Sequence, residues 1–124
     1  MKIIEAINRL DSLLFNTYDQ IDKVKWLSNL DSMVKRHVID THEGAEDVIF
    51  TEYDGDTDPQ TELLIPAPYD EVYLRWLEAQ IHYHNGEYDK YNNAILMFNT
   101  VYETYQAFYA RGHRPLNRGR RFLF

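Results

Sequence analysis

The stretch YDKYNNAILMFNTVYETYQAFY, residues 88–109, decides the fold. Tyr88, Tyr91, Ile95, Phe98, Tyr102, Tyr105 and Tyr109 recur at alternating steps of three and four residues. That spacing lines up one face of an α-helix and calls for a partner helix along its length. Ala94, Met97, Val101 and Phe108 form a second apolar strip, leaving a narrow polar remainder of Asp89, Asn92, Asn93, Thr100, Glu103 and Gln106. At about 1.5 Å per residue such a helix is about 37 Å long, enough to cross a compact chain whose radius of gyration is about 14 Å. Two strips exceed what one antiparallel neighbour covers. Either the helix is central in its own bundle, or the second strip meets another subunit.

Working outward, Asn85-Gly86 punctuates the N-terminal side of this helix and leaves only a short gap to the one before it, so the two form an antiparallel hairpin. The preceding helix opens at Pro68, with Asp70 and Glu71 in its first turn, and Tyr73, Trp76, Leu77, Gln80 and Ile81 set its inner face. Near the start of the chain, Ile3, Ile4, Ile7, Leu10, Leu13 and Leu14 predict a first helix from about residue 2 to about 15. Thr17 to Gln20 fits a capping box for a second helix carrying Ile21, Val24, Leu27, Leu30, Val34 and Val38, running to about Asp40 before the stop at Gly44. Between helices 2 and 3, Val48-Ile49-Phe50 and Leu63-Leu64-Ile65 flank a turn-rich segment, predicting a small hairpin or Ω-like loop. The expected architecture is therefore mostly α. It is a four-helix subunit over residues 1–111, with a short β-hairpin or loop excursion at 41–67 and an extended C-terminal tail at 112–124.

Composition narrows the chemistry. With 124 residues, 44% hydrophobic and 27% charged, the chain has the make-up of one soluble domain large enough to hold a core without staples. There is no cysteine, which removes disulfides, thiol nucleophiles and cysteine-based metal sites. A net charge of −7 argues against generic binding to a nucleic-acid backbone. No apolar run reaches the roughly 20 residues of a membrane span, and the start MKIIEAINRLDSLL is not expected to act as a secretory leader.

Charge is unevenly placed. Nine acids and no Lys or Arg lie in residues 40–62, whereas residues 111–124 hold five arginines and no acid. Asp54, Asp56 and Asp58 imitate the start of a calcium loop, but Pro59 and Ile65 stand where such a loop needs Gly and a bidentate Glu, so the three are read as an acidic surface. His82 and His84, two apart on a helix, face different sides. His37 and His42 are read as structural histidines, and Asp40, His42 and Glu43 as a helix end followed by a solvated loop. No nucleophile elbow, phosphate-cradling glycine loop or H-E-x-x-H is present. No enzyme, metal or cofactor is expected. The tail reads as a docking peptide: Arg111, Arg114, Arg118, Arg120 and Arg121 find an acidic surface, while Phe122 and Phe124 supply an apolar anchor.

Several segments are similar to one known group. Thr61 to Glu71 (TELLIPAPYDE), Trp76 to Ile81 (WLEAQI), Tyr83 to Tyr88 (YHNGEY), Lys90 to Asn93 (KYNN), Met97 to Asn99 (MFN) with Tyr102, Tyr105 and Tyr109, and the loop Asp40 to Gly44 (DTHEG) resemble small head–tail connector proteins of tailed bacteriophages. The resemblance implies a mostly helical virion subunit that forms a ring beneath the portal protein, contacts other neck and tail proteins, and lets DNA pass without specific binding. It would reside in the virion neck, and in the host cytoplasm during assembly. A ring needs two non-identical lateral faces. Tyr88, Tyr91, Phe98, Val101, Tyr102, Tyr105, Phe108 and Tyr109 are the expected interface, with no membrane involved. The alternative expectation is a small acidic helical binding module that sequesters a basic partner in the manner of a DNA mimic.

Overall fold

A computed structural model describes residues 1–116. Four helices carry the fold: α1 (Ile3–Leu13), α2 (Gln20–Val34), α3 (Val72–His84) and α4 (Tyr88–Gly112). Helix α3 is the hub and packs against each of the other three. Its buried residues Val72, Tyr73, Leu74, Leu77, Ala79 and Ile81 point in more than one direction, as a central helix requires. Helix α1 buries Ile3, Ala6, Ile7 and Leu10, a single stripe at i, i+3, i+4 and i+7. The mostly α, four-helix class is as expected from sequence.

Local details differ from the sequence expectations, each for a physical reason. Helix α1 is shorter at both ends. Its start carries one half of a capping box, with the Glu5 carboxylate accepting from the Lys2 N–H at 2.8 Å. Thr17 does not cap α2; Asp19 is the N-cap and makes no side-chain cap bond. The turn is fixed instead by Asn16, whose amide donates to Asp11 and to the Leu14 carbonyl. Helix α2 ends at Val34 and continues as one π-type turn, Lys35–Ile39, closed by the Asp40 N–H donating to the Lys35 carbonyl at 2.8 Å. The widened turn brings two consecutive residues, Val38 and Ile39, into the core. A short 3₁₀ turn, Tyr69–Glu71, precedes α3, so the α-helix begins four residues after Pro68.

Of the two forms expected for the excursion, hairpin or loop, the loop is found: among the described residues there are only two isolated bridges, Lys2 to Glu62 and His42 to Pro115. The backbone donors of the second apolar run already have partners. Leu63 N–H donates to the Met1 carbonyl, Leu64 N–H to Asp31, and Ile65 N–H to the Tyr73 hydroxyl. Leu63 and Ile65 are buried by this arrangement. The excursion is a loop laid on the helices.

Asp31 organises that loop. Its carboxylate is fully buried and accepts from the Tyr53 hydroxyl at 2.6 Å, the Tyr73 hydroxyl at 2.6 Å and the Leu64 N–H at 3.0 Å. Burial raises the Asp31 pKa above the usual carboxylate range, and the three hydrogen bonds oppose that shift. Burial and the neighbouring Asp31 charge raise both phenols above their ordinary value, so they stay protonated and donate. A second buried charge, Lys23, pairs with Asp11 at 2.7 Å and ties α2 to the end of α1. Trp76 Nε1–H donates to the Trp26 carbonyl at 2.8 Å and joins α3 to α2.

Glu87, the N-cap of α4, holds the turn into that helix. Its carboxylate accepts from His82, Asn85 and Lys90, and those bonds lower its pKa from 4.5 to about 2.

Asp31→Ala strands three donors, and we expect it to lower the unfolding free energy by about 3 kcal/mol or more in urea denaturation. Tyr102→Phe should raise stability by about 1 kcal/mol, because the Tyr102 hydroxyl is buried without a hydrogen-bond partner among the described residues. Glu87→Gln should destabilise at neutral pH. Because the folded-state pKa of Glu87 is lowered, the wild-type advantage should be complete above pH 4.5 and fade as pH falls toward 2, read from thermal midpoints across pH.

Candidate functional site

Helix α4 presents two faces with different fates. Its inner face buries Ala94, Phe98, Tyr105 and Tyr109, with Tyr91, Ile95, Val101 and Tyr102 half-buried beside them. Rings run along this face in contact: Trp76 on Phe98, Phe98 stacked on Tyr102, Tyr102 on Tyr105, and Tyr105 on Tyr109. Burial raises the Tyr102, Tyr105 and Tyr109 phenols above their ordinary value, so these rings remain neutral. Phe98, Tyr105 and Tyr109 therefore belong to the subunit's own core. That corrects their assignment to an exposed interface; the seam they define is satisfied by α3, Tyr69 and the loop after α2.

The outer face is the candidate site. Leu96 is 63% exposed and Met97 46%, and three helical turns on, Phe108 is 39% exposed and stacks on Tyr69 with ring centroids 4.6 Å apart. Thr100, Thr104 and Ala107 lie between them and are exposed. The hydroxyl of Thr100 donates to the Leu96 carbonyl, and that of Thr104 to the Thr100 carbonyl. With both hydroxyls turned back onto the helix, the threonines offer methyl groups outward. The result is a face without charge from Leu96 to Phe108 at spacings of three and four, bordered by Glu103 and ended on the same stripe by Asp89 and Arg111. A helix face of this kind packs against another helix. Thr100, Thr104 and Ala107 were missed from sequence because threonine and alanine weigh little in an apolar pattern, and Leu96 because it lies off both strips.

The remaining expected residues are scattered around this face. Tyr88 is exposed, and with Tyr91 it contacts Tyr83 at the α3–α4 corner. His84 extends this cluster to Trp26 and Tyr18. Val101 borders the outer face.

All nine acids of residues 40–62 are exposed. Asp40 pairs with Lys35 and Glu62 with the Met1 ammonium. Among the described residues the other seven, Asp54, Asp56 and Asp58 included, make no ion pair. Asp54 instead shapes its own turn, accepting from the Asp56 N–H at 2.8 Å. Asp40, His42 and Glu43 do not converge: the His42 ring donates to the Val38 carbonyl at 2.6 Å and packs edge-on against Tyr109. No group of three His, Asp or Glu side chains among the described residues is arranged to hold a metal ion. No helix among them is long and apolar enough to cross a membrane.

The first part of the tail is not free. Helix α4 runs through Gly112, and His113 stacks flat on Tyr109 with centroids 3.9 Å apart. Residues 114–116 then pair antiparallel with residues 41–43, Glu43 N–H donating to the Arg114 carbonyl and Leu116 N–H to the Thr41 carbonyl. The boundary expected at residue 112 therefore falls inside packed structure. Arg111 and Arg114 are exposed; Arg118, Arg120, Arg121, Phe122 and Phe124 lie outside the described residues.

No protein-family model matches the chain, and no curated protein or solved structure matches it either.

Proposed function

We propose that this chain is a non-enzymatic structural subunit that assembles with copies of itself into a ring of the head–tail connector kind, joining a portal protein to the tail in a virion. The observation that carries the reading is the outer face of α4 between Leu96 and Phe108, an exposed and mostly uncharged helical strip touched at its margins by Arg75 on Met97 and Tyr69 on Phe108. Leaving such a strip in water is unfavourable unless a neighbour covers it. A ring contact is head-to-tail, so the partner surface differs from α4 itself. The Tyr18, Tyr83, His84 and Tyr88 cluster at the other end of α3 is rich in the residue types that favour interfaces. A net charge of −7 per copy, repeated around a channel, lets DNA pass without the counterion release that grips phosphate.

One observation favours a second reading. Seven exposed acids without ion-pair partners among the described residues suit a small acidic module that sequesters a basic partner. That reading requires one-to-one, salt-sensitive binding without self-assembly, abolished by neutralising Asp54, Asp56 and Asp58.

Native mass spectrometry and sedimentation of the full chain should find a multi-copy species. The double variant Leu96→Glu, Ala107→Glu, at two exposed positions, should remove it while leaving the thermal midpoint near wild type. Phe98→Ala, one ring inward, should instead cost about 3 to 5 kcal/mol of stability. A chain that stays monomeric at all concentrations counts against the ring.

A further inference from the structure

The acidic excursion contains an unfinished edge. Among the described residues, none of the backbone N–H or C=O groups of Ile49, Phe50, Thr51 and Glu52 is hydrogen-bonded within the molecule. Ile49 is 88% exposed. A groove of about 310 Å³ runs beside this segment, with Ile49, Phe50 and Leu64 as its apolar lining and Glu52 and Glu62 as its charged lining. The cations recorded near it are the Met1 ammonium, 3.3 Å from Glu62, and Lys2, which bonds Gln60. Glu52 has no ion-pair partner among the described residues. A free main-chain edge beside apolar pockets is the template to which an extended peptide adds as a strand.

The chain itself supplies a complementary peptide. Residues 117–124, NRGRRFLF, hold three arginines, two phenylalanines and no acid. In an extended segment Phe122 and Phe124 face one side and Arg121 the other. The preceding residues, 114–116, already add in this manner to residues 41–43. Because that pairing is antiparallel, the chain at Leu116 heads opposite to the direction in which the main chain leaves Glu43 for residues 44–62. Reaching the edge of its own copy demands a reversal. Reaching another copy does not, and eight extended residues span up to about 26 Å.

We propose that residues 117–124 of one copy dock along residues 49–52 of a second copy, with Phe122 and Phe124 in the Ile49–Phe50–Leu64 groove and the arginines against Glu52 and the neighbouring acids. The inference rests on the self-assembly reading and supplies a specific contact for it. It also bears on the size of the interface. The outer face of α4 from Leu96 to Phe108, about 18 Å by about 10 Å, offers about 180 Å² per copy, well short of the roughly 800 Å² per partner in a standard interface. A docked tail adds to that area.

The absence of cysteine makes the test direct. Two full-length single-cysteine chains, Thr51→Cys and Leu123→Cys, are mixed and joined with a short bis-maleimide, and the products are resolved by mass. The expected result is a mixed dimer in excess of either like-with-like dimer. Its yield should fall about tenfold when Glu52→Lys is added to the first chain or Phe122→Ser and Phe124→Ser to the second. The tail changes lie beyond the helical body, so the second arm does not depend on the tolerance of the fold.

A mixed dimer no more abundant than one made with Asn8→Cys, an exposed position on α1, overturns the proposal. So does intramolecular closure of the doubly substituted chain at high dilution without mixed dimer. Sedimentation of the same samples separates the two ideas: assembly that persists without the cross-link removes the tail contact and leaves the ring reading standing, whereas a monomer without cross-link removes both.

Discussion

A buried carboxylate that must be hydrogen-bonded is the constraint around which the rest of the molecule is arranged. Asp31 projects from α2 into the core, where an unpaired charge is untenable. Its three donors come from separate parts of the chain: Tyr53 and Leu64 from the two sides of the acidic excursion, and Tyr73 from α3. Tyr73 relays the constraint, donating to Asp31 while accepting from the Ile65 N–H. The loop thus needs no strand ladder to keep its place. With Tyr73 fixed, α3 is fixed against α2, and α4 takes its position from α3.

The aromatic content of the chain divides between two jobs. Phe98, Tyr102, Tyr105 and Tyr109 form a continuous inner row that extends the core along α4 far beyond what aliphatic residues alone would fill. Tyr69 and Phe108 stack at the boundary between core and surface. The outer face of α4 is carried mainly by groups that are not aromatic, Leu96, Met97, Ala107 and the methyls of Thr100 and Thr104, with the ring of Phe108 at its end. Under the assembly reading, partner binding falls to this plainer strip.

The four helices were legible because periodicity and Gly–Pro punctuation agree about them. The core seam of α4 was legible residue by residue; its direction was not, since spacing alone does not say whether a seam faces a neighbour in the same chain or in another. Asp31 sits among apolar residues at a core register and reads as an interruption until three donors from residues 22 to 42 positions away are seen to meet on it. Two short apolar runs left hairpin and loop both open for the excursion; the loop results because the backbone donors of residues 63–65 are claimed by Met1, Asp31 and Tyr73. The fold-back of residues 114–116 onto 41–43 carried no local signal either, because strand addition uses main-chain atoms that every residue shares.

The unequal lengths of the hairpin helices have a mechanical consequence. Helix α4 has 25 residues and α3 has 13, so about 18 Å of α4 overhangs its partner. The overhang rests on a 3₁₀ turn and a loop, through Tyr69 against Phe108 and His42 against Tyr109. The helix is a beam clamped by α3 up to about Phe98 and tied at its far end through the pairing of residues 114–116 with 41–43. Load applied at Leu96 passes straight into the clamped half, whereas load at the tip bends the beam and pulls on the segment between the π-type turn and Gly44.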